Sequence, residues 1–178
     1  MVFDFSQDHF ALFGLPRGFR LDRAALDAAY LGLQSRYHPD RAAGLGDADK
    51  RLSLQAATRV NEAFQTLKSP LGRARYLLQL AGVDTQEETN TSMPTAFLMQ
   101  QMEWREAVAD ARADKQVAAL EKLAGELRGE TRLLEAALSE ALDARQDHAE
   151  AALLVRKLKF LEKLAREIDD ATELLLDQ

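Results

Sequence analysis

Apolar side chains recur at steps of three and four in two early blocks, Leu26, Tyr30, Leu33 and Tyr37, then Val60, Ala63, Phe64 and Leu67. That spacing lays a stripe along one face of an α-helix. The first block runs into Tyr37-His38-Pro39-Asp40. Proline fixes its own φ and disfavours helical geometry in the residue before it, so this helix is predicted to stop near Tyr37 or His38. Asp22 suits its N-cap, with Leu21 before it and Leu26 placed to close a hydrophobic staple, which gives a helix over about 23–37. The stretch 41–49 holds two glycines and little apolar surface and reads as a loop. Two helices therefore fold back around a tip formed by His38, Pro39 and Asp40. Upstream, 8–16 reads as a short helix stopped by Gly14 and Pro16, and downstream 71–80 reads as a connecting helix ended by Gly82.

The pattern then lapses. Residues 83–92 are polar, rich in Thr and Glu, and free of apolar periodicity, as in a linker or an ordered bridge between two units. Pro94 suits the first turn of a new helix. Beyond it Ala, Leu, Glu, Lys and Arg dominate and three long helices fit, over about 95–113, 115–146 and 148–176. In the second, Val117, Leu120, Ala124, Leu127, Thr131, Leu134, Leu138 and Ala141 form a seam; Leu154, Leu158, Leu161, Ala165, Ile168 and Leu175 do so in the third. Connections this short force neighbouring helices antiparallel, so a three-helix bundle is expected. Gly125 and Gly129 cost the middle helix something like 1 kcal/mol each against alanine where exposed, and mark a bend or a close approach. The resulting organisation is all-α: a first unit over 1–82, a linker over 83–93 and the bundle over 94–178.

The first bundle helix carries more apolar surface than one core takes. At ~100° per residue, Phe97, Gln101, Trp104, Val108 and Ala111 share one face, while Leu98, Met99, Met102, Glu103, Glu106 and Asp110 lie roughly opposite. The Phe-Trp-Val stripe is the larger and belongs inside. A Leu-Met-Met patch bordered by carboxylates is then left outward, with the chemistry of a docking surface. On the last helix Phe160 falls about 120° from the Leu-Ile stripe, amid Arg156, Lys157, Lys159 and Lys163.

Composition narrows the function classes. The chain has 178 residues, 47% of them hydrophobic, and a net charge of −6, enough for one ordinary domain or two small ones. With no cysteine, disulfides, thiol catalysis and thiolate-built zinc or iron–sulfur sites are excluded. No apolar run approaches the roughly 20 residues of a membrane span, and the N-terminus lacks a basic-then-apolar leader, so no membrane is expected and the cytoplasm is the default compartment. The acidic balance argues against nucleic acid, and the basic cluster around Phe160 reads as a solvated face. His38 and Asp40 are drawable as a base and its orienter, but no nucleophile or Gly-rich phosphate cradle accompanies them, so no enzyme is expected.

The exposed His38-Pro39-Asp40 resembles the signature of J domains, which bind DnaK-type chaperones and stimulate their ATPase. His9-Phe10-Ala11-Leu12-Phe13-Gly14 and the segment Val60-Asn61-Glu62-Ala63-Phe64 before Pro70 are similar to that family's other motifs, in the right order. The whole chain after its first few residues resembles the HscB family of J-type co-chaperones of iron–sulfur cluster assembly. Thr95-Ala96-Phe97-Leu98-Met99, Glu103, Arg105-Glu106 and Val155-Arg156-Lys157-Leu158-Lys159-Phe160-Leu161 carry the C-terminal likeness. The resemblance implies a J domain that engages the chaperone HscA through Arg36, Tyr37, His38, Pro39 and Asp40. It also implies a C-terminal bundle that carries the scaffold protein IscU on Leu98, Met99, Met102, Glu103, Glu106, Asp110 and Phe160, with no cofactor of its own. Met102 stands where leucine is common, Asp110 where glutamate is, and the helix before His38 is poor in cations. The alternative is a J protein that recruits another client or self-associates through its helical C-terminal domain.

Overall fold

The computed structural model describes residues 2–177, and all regular structure among them is helical. The chain divides into two compact units, 1–81 and 82–178.

The first unit holds α1 (His9–Leu12), α2 (Arg23–Tyr37), a 3-10 turn (Pro39–Ala42), α3 (Asp47–Lys68) and α4 (Pro70–Leu80). Asp22 caps α2, its carboxylate accepting from the Ala25 amide at 3.1 Å, and Leu21 and Leu26 both join the core as the staple requires. α2 packs against α3 around Phe10, Phe13, Leu26, Tyr37, Val60, Phe64 and Leu67. Midway along that hairpin Tyr30 stacks on Phe64 with ring centroids 3.9 Å apart, and its hydroxyl donates to Asn61 Oδ1 at 2.7 Å. Gly14 and Gly82 adopt φ of 65° and 74°, the left-handed geometry that ends a helix and that a Cβ penalises. One expectation is corrected: the loop expected over 41–49 is shorter. The 3-10 turn takes its first residues, and α3 begins at Asp47, where Asp47 and Asp49 complement the positive end of the helix.

The second unit contains α5 (Thr95–Ala113), α6 (Val117–Ser139), a π-helical turn (Glu140–Ala144) and α7 (His148–Leu176). Trp104, Val108 and Ala111 from α5 meet Leu120, Leu123 and Leu127 from α6 and Leu161, Leu164, Ile168 and Ala171 from α7. These residues follow the predicted seams, with Leu123, Leu164 and Ala171 added. Pro94 lies just outside α5 at its N-cap. Residues 84–90, expected in the linker or bridge, are ordered on α7 as part of the second unit: Arg156 donates to the Thr85 carbonyl at 3.1 Å, Lys159 pairs with Glu88 and lies 3.9 Å from Glu87, and Thr85 is buried. Neither helix glycine marks a close approach. A Cβ on Gly129 meets nothing within 4 Å, and one on Gly125 meets only the end of Arg128 at 3.6 Å. Among the described residues no helix is long and apolar enough to cross a membrane.

Candidate functional site

The tip at the end of α2 is built by its own side chains. Pro39 breaks the α-helix, and His38 turns its ring back so that Nδ1 accepts the Asp40 amide at 3.2 Å, capping the 3-10 turn. With Nδ1 accepting, the neutral ring's proton is left on Nε2. The Arg41 amide donates to the His38 carbonyl at 3.0 Å, which closes the turn. The Asp40 carboxylate lies 3.5 Å from His38 Nδ1 and is 91% exposed, so its charge faces water and supports no core. An exposed donor and an exposed carboxylate on a backbone-locked turn can read a polar, cationic surface.

Tyr37 does not share that exposure. It is 5% exposed and packs in the core of the first unit, so it supports the tip from beneath, and only its neighbours Arg36, His38, Pro39 and Asp40 reach the surface. Arg36 lies with its guanidinium carbon 5.4 Å from the Tyr37 ring centroid, exposed but leaning on that ring. Sequence reasoning missed Ser53. This fully buried α3 residue donates its hydroxyl to the Tyr37 carbonyl at 2.9 Å, satisfying an orphan acceptor at the end of α2 and fixing the tip to α3. Its only signal in sequence was a small polar residue in an otherwise apolar helix stripe.

On the second unit the α5 arithmetic holds. Leu98, Met99 and Met102 are 41%, 58% and 71% exposed, while Trp104 and Val108 on the opposite face are buried. Glu103, Glu106 and Asp110 are exposed beside them, Glu103 accepting from Gln100 at 3.3 Å. Phe160 departs from the expectation of a ring outside the seam. It is half-buried, with the Phe97 ring edge-on at 5.9 Å between centroids and the Arg105 guanidinium 5.3 Å from its ring. The flank of α7 that carries Phe160 faces the first turns of α5, and an ion pair of 3.6 Å between Arg105 and Glu167 holds the cation in place. The structure thus brings together a continuous apolar strip on α5 with a carboxylate edge, and seats Phe160 beside the start of that helix as a partly covered aromatic.

A family model described as the HSCB C-terminal oligomerisation domain matches residues 93–169. The chain is 64% identical over 177 residues to the co-chaperone protein HscB homolog of Chromobacterium violaceum, spanning 99% of this chain and 100% of that one. It is 56% identical over 175 residues to the homolog of the same description from Azoarcus sp., spanning 98% and 99%. Among solved structures it is similar to chaperone HscB from Vibrio cholerae, at a TM-score of 0.84 and 37% identity over 95% of this chain and 99% of that one. It is also similar to human co-chaperone protein HscB, at a TM-score of 0.87 and 31% identity over 93% and 82%.

Proposed function

The chain belongs to the HscB co-chaperone family, and from that premise we propose that it stimulates the ATPase of a DnaK-type chaperone of the HscA kind and delivers to it the iron–sulfur scaffold protein IscU during cluster maturation. It works in the cytoplasm and catalyses no reaction itself. The observation that carries this reading is that two exposed features of different chemistry occur on different units, a polar tip on the first and an apolar patch on the second. One chain with two such sites is suited to bring two partners together.

The tip supplies a carboxylate and an imidazole N–H for charge-assisted contacts with a basic chaperone surface. The rest of α2 adds little positive charge, since Arg23 is paired with Asp27 at 2.8 Å and the exposed Arg36 is the only other cation on the helix. Chaperone recognition therefore concentrates on His38, Pro39 and Asp40, with Arg36 beside them and Tyr37 beneath. On α5, Leu98, Met99 and Met102 are apolar anchors for the scaffold, flanked by Phe160. Glu103, Glu106 and Asp110 steer its approach. A second reading, recruitment of another client or self-association through the C-terminal unit, is favoured by the description of the family model as an oligomerisation domain and by the exposure of Leu133, Leu174 and Leu176.

The test separates the two sites. Asp40→Asn should keep the fold and the affinity for the scaffold while stimulation of the chaperone ATPase collapses. The triple change Leu98→Ala, Met99→Ala, Met102→Ala should keep basal stimulation and lose scaffold affinity, because truncating a central apolar anchor commonly costs above about 2 kcal/mol. ATPase titration and calorimetry with purified partners measure both. Undiminished stimulation by folded Asp40→Asn removes the co-chaperone reading of the tip. Undiminished scaffold binding by the folded triple variant removes the delivery reading, and concentration-dependent dimerisation of the unaltered chain would favour the second.

A further inference from the structure

We propose that the N-terminal segment 2–5 is a positioning element for the His38-Pro39-Asp40 tip, acting through Phe3 and the Val2 carbonyl on Tyr37. The inference rests on the proposed role of the tip in stimulating a DnaK-type chaperone.

Tyr37 is the last residue of α2, so its placement sets the direction of the three residues that follow. It is held at two ends. From below, its carbonyl accepts the Ser53 hydroxyl at 2.9 Å. From the side, the Phe3 ring meets the Tyr37 ring edge-on at 5.0 Å between centroids and 85° between planes, and the Tyr37 hydroxyl donates to the Val2 carbonyl at 3.2 Å. A buried tyrosine hydroxyl needs an acceptor, and this backbone carbonyl from 35 residues earlier supplies it.

The rest of the segment serves that contact. Phe5 packs on Phe3 with centroids 4.5 Å apart. Asp4 accepts from both the amide and the hydroxyl of Ser6, at 2.9 Å and 2.5 Å, a local turn that redirects the chain toward α1. Val2 and Phe5 are themselves exposed and Phe3 is half-buried against the edge of the first unit's core, whose fully buried centre is formed by Phe10, Leu26 and Leu67. Its contribution is local: one ring edge and one carbonyl, both spent on the residue that precedes His38. Without them the tip loses a fixed base, and its own capping bonds open more often. A partner must then order it on binding, which weakens affinity and leaves the bound state unchanged.

The test uses the full-length chain with Phe3→Ala, the conservative Phe3→Tyr and a deletion of 2–5. One arm follows amide exchange at Asp40 and Arg41, whose amides donate to His38, against Ala63 and Phe64 within α3. The other titrates chaperone ATPase and separates the half-saturating concentration from maximal stimulation. In Phe3→Ala and the deletion, exchange at Asp40 and Arg41 should rise about tenfold with α3 unchanged. The half-saturating concentration should rise about threefold with maximal stimulation retained. Phe3→Tyr should behave as the unaltered chain. Unchanged exchange at the tip, an equal rise throughout α3, or faster exchange with an unchanged half-saturating concentration would each overturn the proposal. If the unaltered chain stimulates no such chaperone, the proposed function falls, and the exchange arm alone decides the positioning claim.

Discussion

His9 is a titratable side chain placed where its charge is unwelcome. It is 7% exposed, its ring stacks on Tyr76 at 4.2 Å, and its Nδ1 has no hydrogen-bond partner among the described residues. Burial pushes its pKa below the ordinary 6.5, the Arg59 charge adds to that, and Asp8 and Glu62 oppose it. The unfolded chain therefore binds this proton more readily than the folded one, so the stability His9 contributes is present above pH 6.5 and is lost as the pH falls toward the depressed folded value. Between pH 7 and 5 the melting temperature of the first unit should drop, and His9→Phe should flatten that drop; parallel slopes for the two proteins would show that His9 is not responsible. Trp104 and Met102 make a second contrast at this scale, two residues apart on one helix but on opposite faces. Trp104→Ala should cost about 3–5 kcal/mol and Met102→Ala within about 0.5 kcal/mol, read from chemical denaturation of the free protein. The outward face of α5 was legible because helical angles alone separate Met102 from Trp104. Phe160 and Tyr37 were less so: angle arithmetic on one helix does not say which neighbouring element covers its flank, and Phe97, Arg105, Phe3 and Val2 do the covering.

Helix ends were legible where a side chain marks them. Asp22 before α2 and Pro39 after it bound that helix at 23 and 37 in sequence and in structure, and α5 and α7 begin and end at the expected residues. The start of α3 was not, because its N-cap is Gly46, which offers no capping side chain and reads as loop. The π-helical turn after Ser139 was also unreadable, since one extra residue in a helical turn leaves the apolar spacing nearly intact and α6 and the turn merge into one predicted helix. The bridge over 84–90 lacks periodicity because it is held by Arg156 and Lys159 rather than by an apolar face. At this scale Gly129 yields a prediction with the opposite sign to most. It lies within α6 with a right-handed backbone and open space where a Cβ would go, so Gly129→Ala should stabilise the second unit by roughly 0.5–1 kcal/mol. A rise in the thermal midpoint without loss of scaffold affinity is the expected result, and a fall would mean that the surroundings of Gly129 are tighter than the backbone geometry indicates.

For the molecule as a whole, the two cores predict that fragments 1–81 and 82–178 each fold when expressed alone. Circular dichroism and thermal melts should show helix and a cooperative transition in both. A fragment beginning at residue 95 should melt lower than 82–178, because it loses the Thr85 carbonyl that Arg156 holds and the carboxylates that pair with Lys159. A hydrogen bond from a charged donor contributes roughly 1.5 kcal/mol or more where partly buried, enough to move the midpoint by several degrees. Equal midpoints would reduce the bridge to a passive connection, and two unfolded fragments would show that the cores depend on each other.

Separate cores also change what damage to this chain does. A substitution that unfolds the second unit alone, such as Trp104→Ala at elevated temperature, leaves the tip of the first intact. On the proposed function, such a chain would go on triggering ATP hydrolysis by the chaperone with no scaffold in hand. It would be a competitor to its undamaged copies, and half-broken protein would harm a cell more than the same amount of protein removed.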